Sequence, residues 1–397
     1  MGNTYKQLVL MDKAGPWKLV EKKIPKPGVG EVLVKMKAST ICNQTDLNTI
    51  LAKHPPHDHQ ITLMYPHDFR IWDQRVPDEL SEYYPRRKYP RNPYPTTMGH
   101  EGMGVIEAIG PMPDESPYRT LMDEGLKREQ PLKVGDRVAM AATIGGYGEY
   151  VITNLDECVR VPDVLTDEEA SLFEPCGVVH SVIKQIVRPL DDVLILGQGA
   201  LGLLATQMAK VYGAKRIITT ELSAYKRSLS KMFGADISLD PNEINVVHAI
   251  EDITDGLGMP VIIECAGEPE TIQPIPYLAR TGCRVGQIGA CCDPVLIDWS
   301  YIHFKGMKIT CPMQDSLIGK TLSVGYKETM DLMASGQLDL KNLITHRLSL
   351  TVEDTDDIFR KIADGEDVIK AAYIFKQVRR NSYEVRIFER DRTGTFL

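Results

Sequence analysis

No run of about 18 apolar residues occurs in the 397-residue chain, so no membrane-spanning helix is expected. Positive charge is in deficit. Lys and Arg number 46 against 54 Asp and Glu, a formal net charge of -8. That balance poorly matches the phosphate backbone of nucleic acid or an anionic membrane surface, so neither partner is expected. The opening MGNTYKQLVLMDKAG lacks the apolar core and small-residue cleavage site of a secretory signal. Its Met-Gly start resembles a myristoylation site only weakly, and the segment reads better as a first strand. A cytoplasmic protein is expected. A disulfide framework is also lacking. Cysteines 42, 158, 176, 265, 283, 291, 292 and 311 scatter through long apolar segments. In a reducing compartment such cysteines are buried thiols by default and metal ligands by exception.

What remains is the composition of an ordinary soluble enzyme: 43% hydrophobic, 25% charged and 7% aromatic. Collagen-like and wholly disordered chains are excluded. The length suits two or three domains. Residues 1–47 read as strands punctuated by Gly and Pro turns. Residues 48–97 change character: histidines, prolines and aromatics crowd together, and YYPRRKYPRNPYP is neither helix nor central strand. They read as an inserted excursion. Strand character returns in MGHEGMGVIEAIG, VGDRVAMA and GGYGEYVIT. The intervening residues 111–132 are polar, with room for a short helix. From about residue 180 strands and helices alternate, which implies a parallel sheet with right-handed crossovers. Beyond about 315 two amphipathic helices, a closing strand and a charged tail are expected.

The segment DDVLILGQGALGLLATQMAKVYGA holds Gly197, Gly199 and Gly202 as G-x-G-x-x-G between a buried strand and a helix. That context gives the motif its meaning. Gly197 permits the turn, Gly199 lets the backbone approach a pyrophosphate, and Gly202 allows helix and strand to pack closely. The helix start, with Ala200 and Leu201, offers amides and a partial positive charge to the phosphates. The next strand ends at Glu221, 19 residues after Gly202. A carboxylate there accepts the adenosine ribose hydroxyls and repels a 2′-phosphate, favouring NAD over NADP. Lys226 lies within one helical turn. Strand ends near Ala266 and Gly289 are expected to wall the nicotinamide side.

Three further places carry chemistry: Cys42 in CNQTD, His100-Glu101 in GHEG, and Glu174 in LFEPCGVVHS. Cysteine, histidine and carboxylate form a donor set suited to Zn²⁺. No local spacing links them. Singly, Cys42 also reads as a core thiol, His100 as a satisfied histidine and Glu174 as a helix-capping carboxylate.

GHEGMGVIEAIG, LKVGDRV, GGYGEYV, FEPCGVVHS, GQGALG and YKETMDLMASGQLDLKNLITHRLSL occur in this order. Together they resemble the zinc-dependent medium-chain dehydrogenase/reductase family. The similarity covers nearly the whole chain except 48–96, 111–130 and the tail. It is nearest to the sorbitol and threonine dehydrogenase branch, because FEP puts Glu174 where alcohol dehydrogenases place a cysteine. The resemblance implies an α/β protein. A GroES-like β-rich catalytic domain (1–180 and 315–397) would wrap a Rossmann domain (181–314), with the active site in the cleft between them. It implies Cys42 and His100 as zinc ligands, and Glu101 as a ligand or exchangeable carboxylate. Glu174 becomes a ligand or the acceptor for a zinc-bound water, Thr45 the proton-relay hydroxyl, and Asp46 the partner orienting His100. Glu149 falls in a family-like segment and reads equally as a surface carboxylate.

The chain departs from the family pattern in three ways. CNQTD has one residue more than the usual spacing. The ten residues between Val138 and Glu149 contain no cysteine, so no structural zinc is expected. Cys42 and His100 are 58 positions apart because of the excursion. Within that excursion, HPPHDH reads as a solvated cluster or second metal site, His54 as loop or relay extension, and Arg86-Arg87-Lys88 as contact arm or anion site. Cys291-Cys292 reads as two thiols. Trp299, Tyr301 and His303 are candidate pocket walls. The expected activity is hydride transfer between a secondary alcohol (a polyol, cyclitol or amino alcohol) and NAD, with one catalytic zinc, in a homo-dimer or homo-tetramer. The alternatives are a zinc-free NAD(P)H reductase of the same fold acting on an alkene or quinone, and a non-catalytic nucleotide-binding protein.

Overall fold

The computed structural model describes residues 4–51, 94–111, 131–141, 144–291, 295–312 and 322–375. Most of the excursion, with His54, HPPHDH and Arg86-Arg87-Lys88, lies outside the described residues, as do 112–130, Cys292 and the charged tail.

Two sheets organise the chain. The N-terminal part opens with an antiparallel hairpin, β1 (Thr4–Leu10) on β2 (Trp17–Lys23). The long strand β3 (Glu31–Thr40) follows and centres a seven-stranded sheet. Along one edge β3 pairs antiparallel with β4 (Glu101–Ile109). Its other edge is shared between β6 (Tyr150–Asn154) and the closing strand β15 (Lys370–Ile374). Strands β5 (Arg137–Met140), β7 (Cys158–Arg160) and β14 (Ile344–Leu348) complete it. One element departs from the sequence reading. The expected run of strands to residue 47 stops at Thr40, and helix α1 (Asn43–Ile50) begins with Cys42 at its N-cap and Asp46 in its first turn. A carboxylate there complements the free amides and dipole of the helix start.

Two helices lead out of this sheet. The short α2 (Asp167–Ala170) starts with a capping box, Thr166 accepting from Glu169 N while the Glu169 carboxylate accepts from Thr166 N. Helix α3 (Phe173–Ile186) buries Phe173, Cys176, Val179, Ile183 and Ile186, a helical stripe. It runs unbroken through the expected 180/181 boundary, and its apolar face joins residues of both sheets in one core: Ala38 and Met103 with Val193 and Ile195.

Strands and helices then alternate as expected: β8 (Asp192–Leu196), α4 (Ala200–Val211), β9 (Arg216–Thr220), α5 (Ala224–Met232), β10 (Ile237–Leu239), α6 (Val246–Ile253), β11 (Met259–Glu264), α7 (Pro269–Ile272), α8 (Ile275–Leu278), β12 (Ala279–Gln287), α9 (Trp299–Phe304) and β13 (Lys308–Thr310). The six strands form an all-parallel sheet in the order β10-β9-β8-β11-β12-β13. Numbered from β8, that order is 3-2-1-4-5-6, the doubly wound arrangement whose ligand crevice opens beyond strands 1 and 4. Helices α10 (Leu322–Ala334) and α11 (Val352–Ala363) precede and follow β14. Among the described residues no helix is long and apolar enough to cross a membrane.

Candidate active site

Antiparallel pairing of β3 and β4 joins the metal-ligand candidates that sequence spacing left apart. Thr40, the last residue of β3, lies opposite Glu101, the first of β4. Cys42 therefore leaves one strand where His100 enters the other. Among the described residues, donor atoms of Cys42, His100 and Glu101 lie within 4.8 Å of one another. Gly99, in the left-handed region at φ 93°, makes the turn into His100.

Asp46 lies one helical turn beyond Cys42. The extra residue of CNQTD leaves it in place, because Cys42 N donates to its Oδ2 at 3.0 Å and Asp46 N to Cys42 O at 2.9 Å. Its Oδ1 faces His100 Nδ1 at 3.6 Å. Tyr147 donates its hydroxyl to Asp46 Oδ2. Burial pushes the Asp46 carboxyl up, while His100 and the tyrosine hydroxyl pull it back. Burial alone would lower the His100 ring. Its hydrogen bond with Cys42 and the charges of Asp46, Cys42 and Glu174 instead hold it well above the usual histidine range. Thr45 is half-buried in the first turn of α1.

Glu101 is committed elsewhere. Lys370 Nζ donates to its Oε1 at 2.5 Å and Oε2 at 2.6 Å, and to Ile41 O at 2.9 Å. Thr40 Oγ1 donates to Oε2 at 2.5 Å. Burial would raise this carboxyl, but the ammonium of Lys370 and the charge of His100 hold it below its ordinary range. Sequence reasoning missed Lys370. The one available signal was a lysine inside the apolar run VIKAAYIF.

Glu174 stands in the first turn of α3 and lines a small open pocket of about 30 Å³ with Gly177, Ser181, Tyr326 and Thr329. Burial raises it to about 7, against the pull of His100. It is outside the 4.8 Å group but shares its field. Glu149 accepts from Lys6 N at 2.7 Å, tying down β1. Trp299, Tyr301 and His303 stand exposed on α9. Among the described cysteines Cys158, Cys176 and Cys283 are buried.

The three glycines of the nucleotide motif differ in what surrounds them. Gly197 has φ 86° and touches Ala266, so a side chain there would meet Ala266 Cβ at 2.9 Å. A Cβ on Gly202 would fall 2.0 Å from Gly197 O. One on Gly199 would meet nothing within 4 Å. Gly199 caps α4, so the space opens onto the free amides at Ala200 and Leu201, where the dipole favours an anion. The Glu221 carboxylate reaches back across the turn, accepting from Gln198 N at 2.8 Å and Ser223 N at 3.0 Å. Lys226 N donates to Ser223 Oγ, the cap of α5. Gly289 packs on Gly267, where a Cβ would lie 2.2 Å from Gly267 N.

Residues 28–163 match the model of the alcohol dehydrogenase GroES-like domain, and residues 200–335 that of the zinc-binding dehydrogenase domain. An L-threonine 3-dehydrogenase of Pyrococcus horikoshii is 30% identical over 343 residues, covering 83% of this chain and 87% of that protein. The chain belongs to the zinc-dependent medium-chain dehydrogenase family, in its threonine and sorbitol dehydrogenase-like branch. Among solved medium-chain dehydrogenases of the same fold is the 2R,3R-butanediol dehydrogenase of Bacillus subtilis. It aligns with a TM-score of 0.70 at 21% identity, over 94% of this chain and 100% of its own. Benzyl alcohol dehydrogenase of Acinetobacter calcoaceticus aligns with a TM-score of 0.72 at 20% identity, over 94% and 99%. As a member, this protein is an alcohol dehydrogenase-type oxidoreductase with GroES-like and Rossmann-like domains.

Proposed function

We propose that this dehydrogenase interconverts a secondary alcohol and its ketone with one zinc ion and NAD per chain. The observation that carries the reading is the convergence of Cys42, His100 and Glu101 donor atoms within 4.8 Å. A thiol, an imidazole and carboxylates suit Zn²⁺ better than a hard cation. Cys42 and His100 would hold the ion, with Glu174 as the third protein donor or the acceptor beside it. Glu101, engaged by Lys370 and Thr40, is available only by exchange. A bound zinc ion would supply a Lewis acid that acidifies the alcohol oxygen near neutral pH. Bound NAD would supply the hydride acceptor.

The chain's own groups do the rest. Asp46 directs the His100 ring through Nδ1, which leaves Nε2 for the donor cluster. Where Glu174 stands beside the ion as an acceptor, its carboxylate can take and return a proton. Thr45 is the proposed relay hydroxyl from α1. The open space at Gly199 fits a pyrophosphate, and Glu221 beside it suits ribose hydroxyls and opposes a 2′-phosphate. The absence of cysteine between Val138 and Glu149 supports a single zinc. The threonine dehydrogenase relative supports an amino alcohol within the wider class of polyols, cyclitols and amino alcohols. A homo-dimer or homo-tetramer is proposed by family likeness.

The test is reduction of NAD and NADP against a panel containing L-threonine, other amino alcohols, polyols and cyclitols. Wild type is compared with Cys42→Ser and His100→Ala. The expected result is an NAD-preferring, alcohol-dependent rate that both variants lose while still binding NAD. Normal turnover in either variant would reject the zinc mechanism and favour the zinc-free reductase.

A further inference from the structure

Tyr147 is among the largest fully buried side chains, and the function above gives it no task. It lies in GGYGEYV, on the loop between β5 and β6, far in sequence from both Asp46 and His100. Its backbone is fastened to the residues just before His100. Tyr147 N donates to Met98 O at 3.1 Å, and Gly146 N donates to Gly99 O at 2.9 Å. From the other side, Leu8 N and the Gln7 side chain both donate to Tyr147 O at 2.9 Å. A Cβ on Gly99 would fall 2.5 Å from the tyrosine ring, so ring and turn are in close contact. The ring also meets Tyr373, tilted, at 4.8 Å between centroids.

So held, the hydroxyl has one proton to give, and it gives it to Asp46 Oδ2. That oxygen also accepts Cys42 N. Two donors converging on one oxygen fix the plane of a 3% exposed carboxylate and leave Oδ1 turned towards His100 Nδ1. Removing either donor frees the carboxylate to rotate.

We infer that Tyr147 is a positioning residue, which clamps Asp46 so that Asp46 fixes the tautomer and angle of the His100 ring for the metal. The inference rests on the proposed zinc site. Phenylalanine at 147 keeps every ring contact and removes only the clamp. Groups that hold a metal-ligating histidine directly are typically worth about 10–100-fold in metal affinity, which is the range for Asp46 and the ceiling for Tyr147 acting through it.

The experiment uses the full chain with Tyr147→Phe, Asp46→Ala and the double variant. In metal-free protein, at a pH high enough to leave the His100 ring neutral, long-range proton–nitrogen spectra report the tautomer of each histidine ring, with His100→Ala assigning the His100 signal. Zinc affinity is read by chelator competition, and cobalt(II) absorption reports the ligand field. Expected for Tyr147→Phe are a His100 ring that loses its single Nδ1-protonated form, zinc binding weaker by more than twofold with about 10–100-fold as the ceiling set by Asp46 itself, and a thermal midpoint close to wild type. The double variant should bind no more weakly than Asp46→Ala alone, because Tyr147 acts through Asp46. Zinc affinity within twofold of wild type with an unchanged His100 signal would overturn the inference, as would fully additive losses. Should wild type itself bind no zinc, the zinc reading fails, and the His100 tautomer alone decides the role of Tyr147. Should Tyr147→Phe not fold, the ring signal of Asp46→Ala decides: retention of the Nδ1-protonated form overturns the clamp, and its loss supports it.

Discussion

Lys370→Met should destabilise the protein far more than the joint change of Lys370 and Glu101. Lys370 and Glu101 are 3% and 1% exposed, with Nζ at 2.5 Å and 2.6 Å from the two carboxylate oxygens. Removing one partner of such a pair leaves an uncompensated buried charge, at a typical cost of about 3–5 kcal/mol. The Thr40 hydroxyl remains on Glu101 Oε2, so the lower half of that range is expected. In Glu101→Met/Lys370→Met both charges are gone. Thr40 Oγ1 then turns to Ser171 O, already at 3.2 Å, while Ile41 O loses its Lys370 donor. One lost hydrogen bond costs about 1–3 kcal/mol, against about 3–4 kcal/mol for Lys370→Met, so the double variant should recover up to about 3 kcal/mol. Urea unfolding of chelator-treated protein measures this, read from midpoints at constant slope. A Lys370→Met loss under about 1 kcal/mol, or a double variant weaker than Lys370→Met, would refute the assignment of Glu101 to an ion pair.

Gly99→Ala and Gly135→Ala both place a side chain at φ 93°, but only at Gly99 does the Cβ meet a ring, at 2.5 Å. Both should lose about 1–2 kcal/mol for the left-handed backbone, and Gly99→Ala about 1–3 kcal/mol more, by urea midpoint. His180 bridges Thr329 Oγ1 at 2.8 Å and Tyr212 Oη at 2.7 Å, and burial lowers it to about 4. A folded value below the unfolded one means its contribution is full above about 6.5 and fades as pH falls towards 4. Denaturant midpoints across that window should decline less steeply in His180→Gln than in wild type.

The nucleotide half was legible because its signals are local. A glycine turn between a buried strand and a helix carries its own meaning, and strand–helix alternation dictates a parallel sheet. The metal cluster was not legible from spacing, since β3–β4 pairing brings together residues 58 positions apart. Residue chemistry offered Cys42, His100 and Glu174 as a donor set with a bland alternative for each, and the family resemblance decided between them. Lys370 and Tyr147 escaped both routes. Lys370 acts on a carboxylate 269 residues away, and Tyr147 on one 101 residues away, so neither has a sequence neighbour that betrays it. Helix α1 was hidden because CNQTDLNTI has little apolar periodicity; the Cys42 side chain makes no capping bond, and the helix start rests on the Asp46 carboxylate, which accepts from Cys42 N.

The central claim is a single catalytic metal held by Cys42 and His100. Metal content per chain, on protein purified without a histidine tag or added metal, tests it most directly. Wild type is expected to carry about one zinc per chain, and Cys42→Ser and His100→Ala to lose it, with NAD binding retained. A wild-type protein that takes up no zinc even on reconstitution, or variants that keep it, would contradict the account.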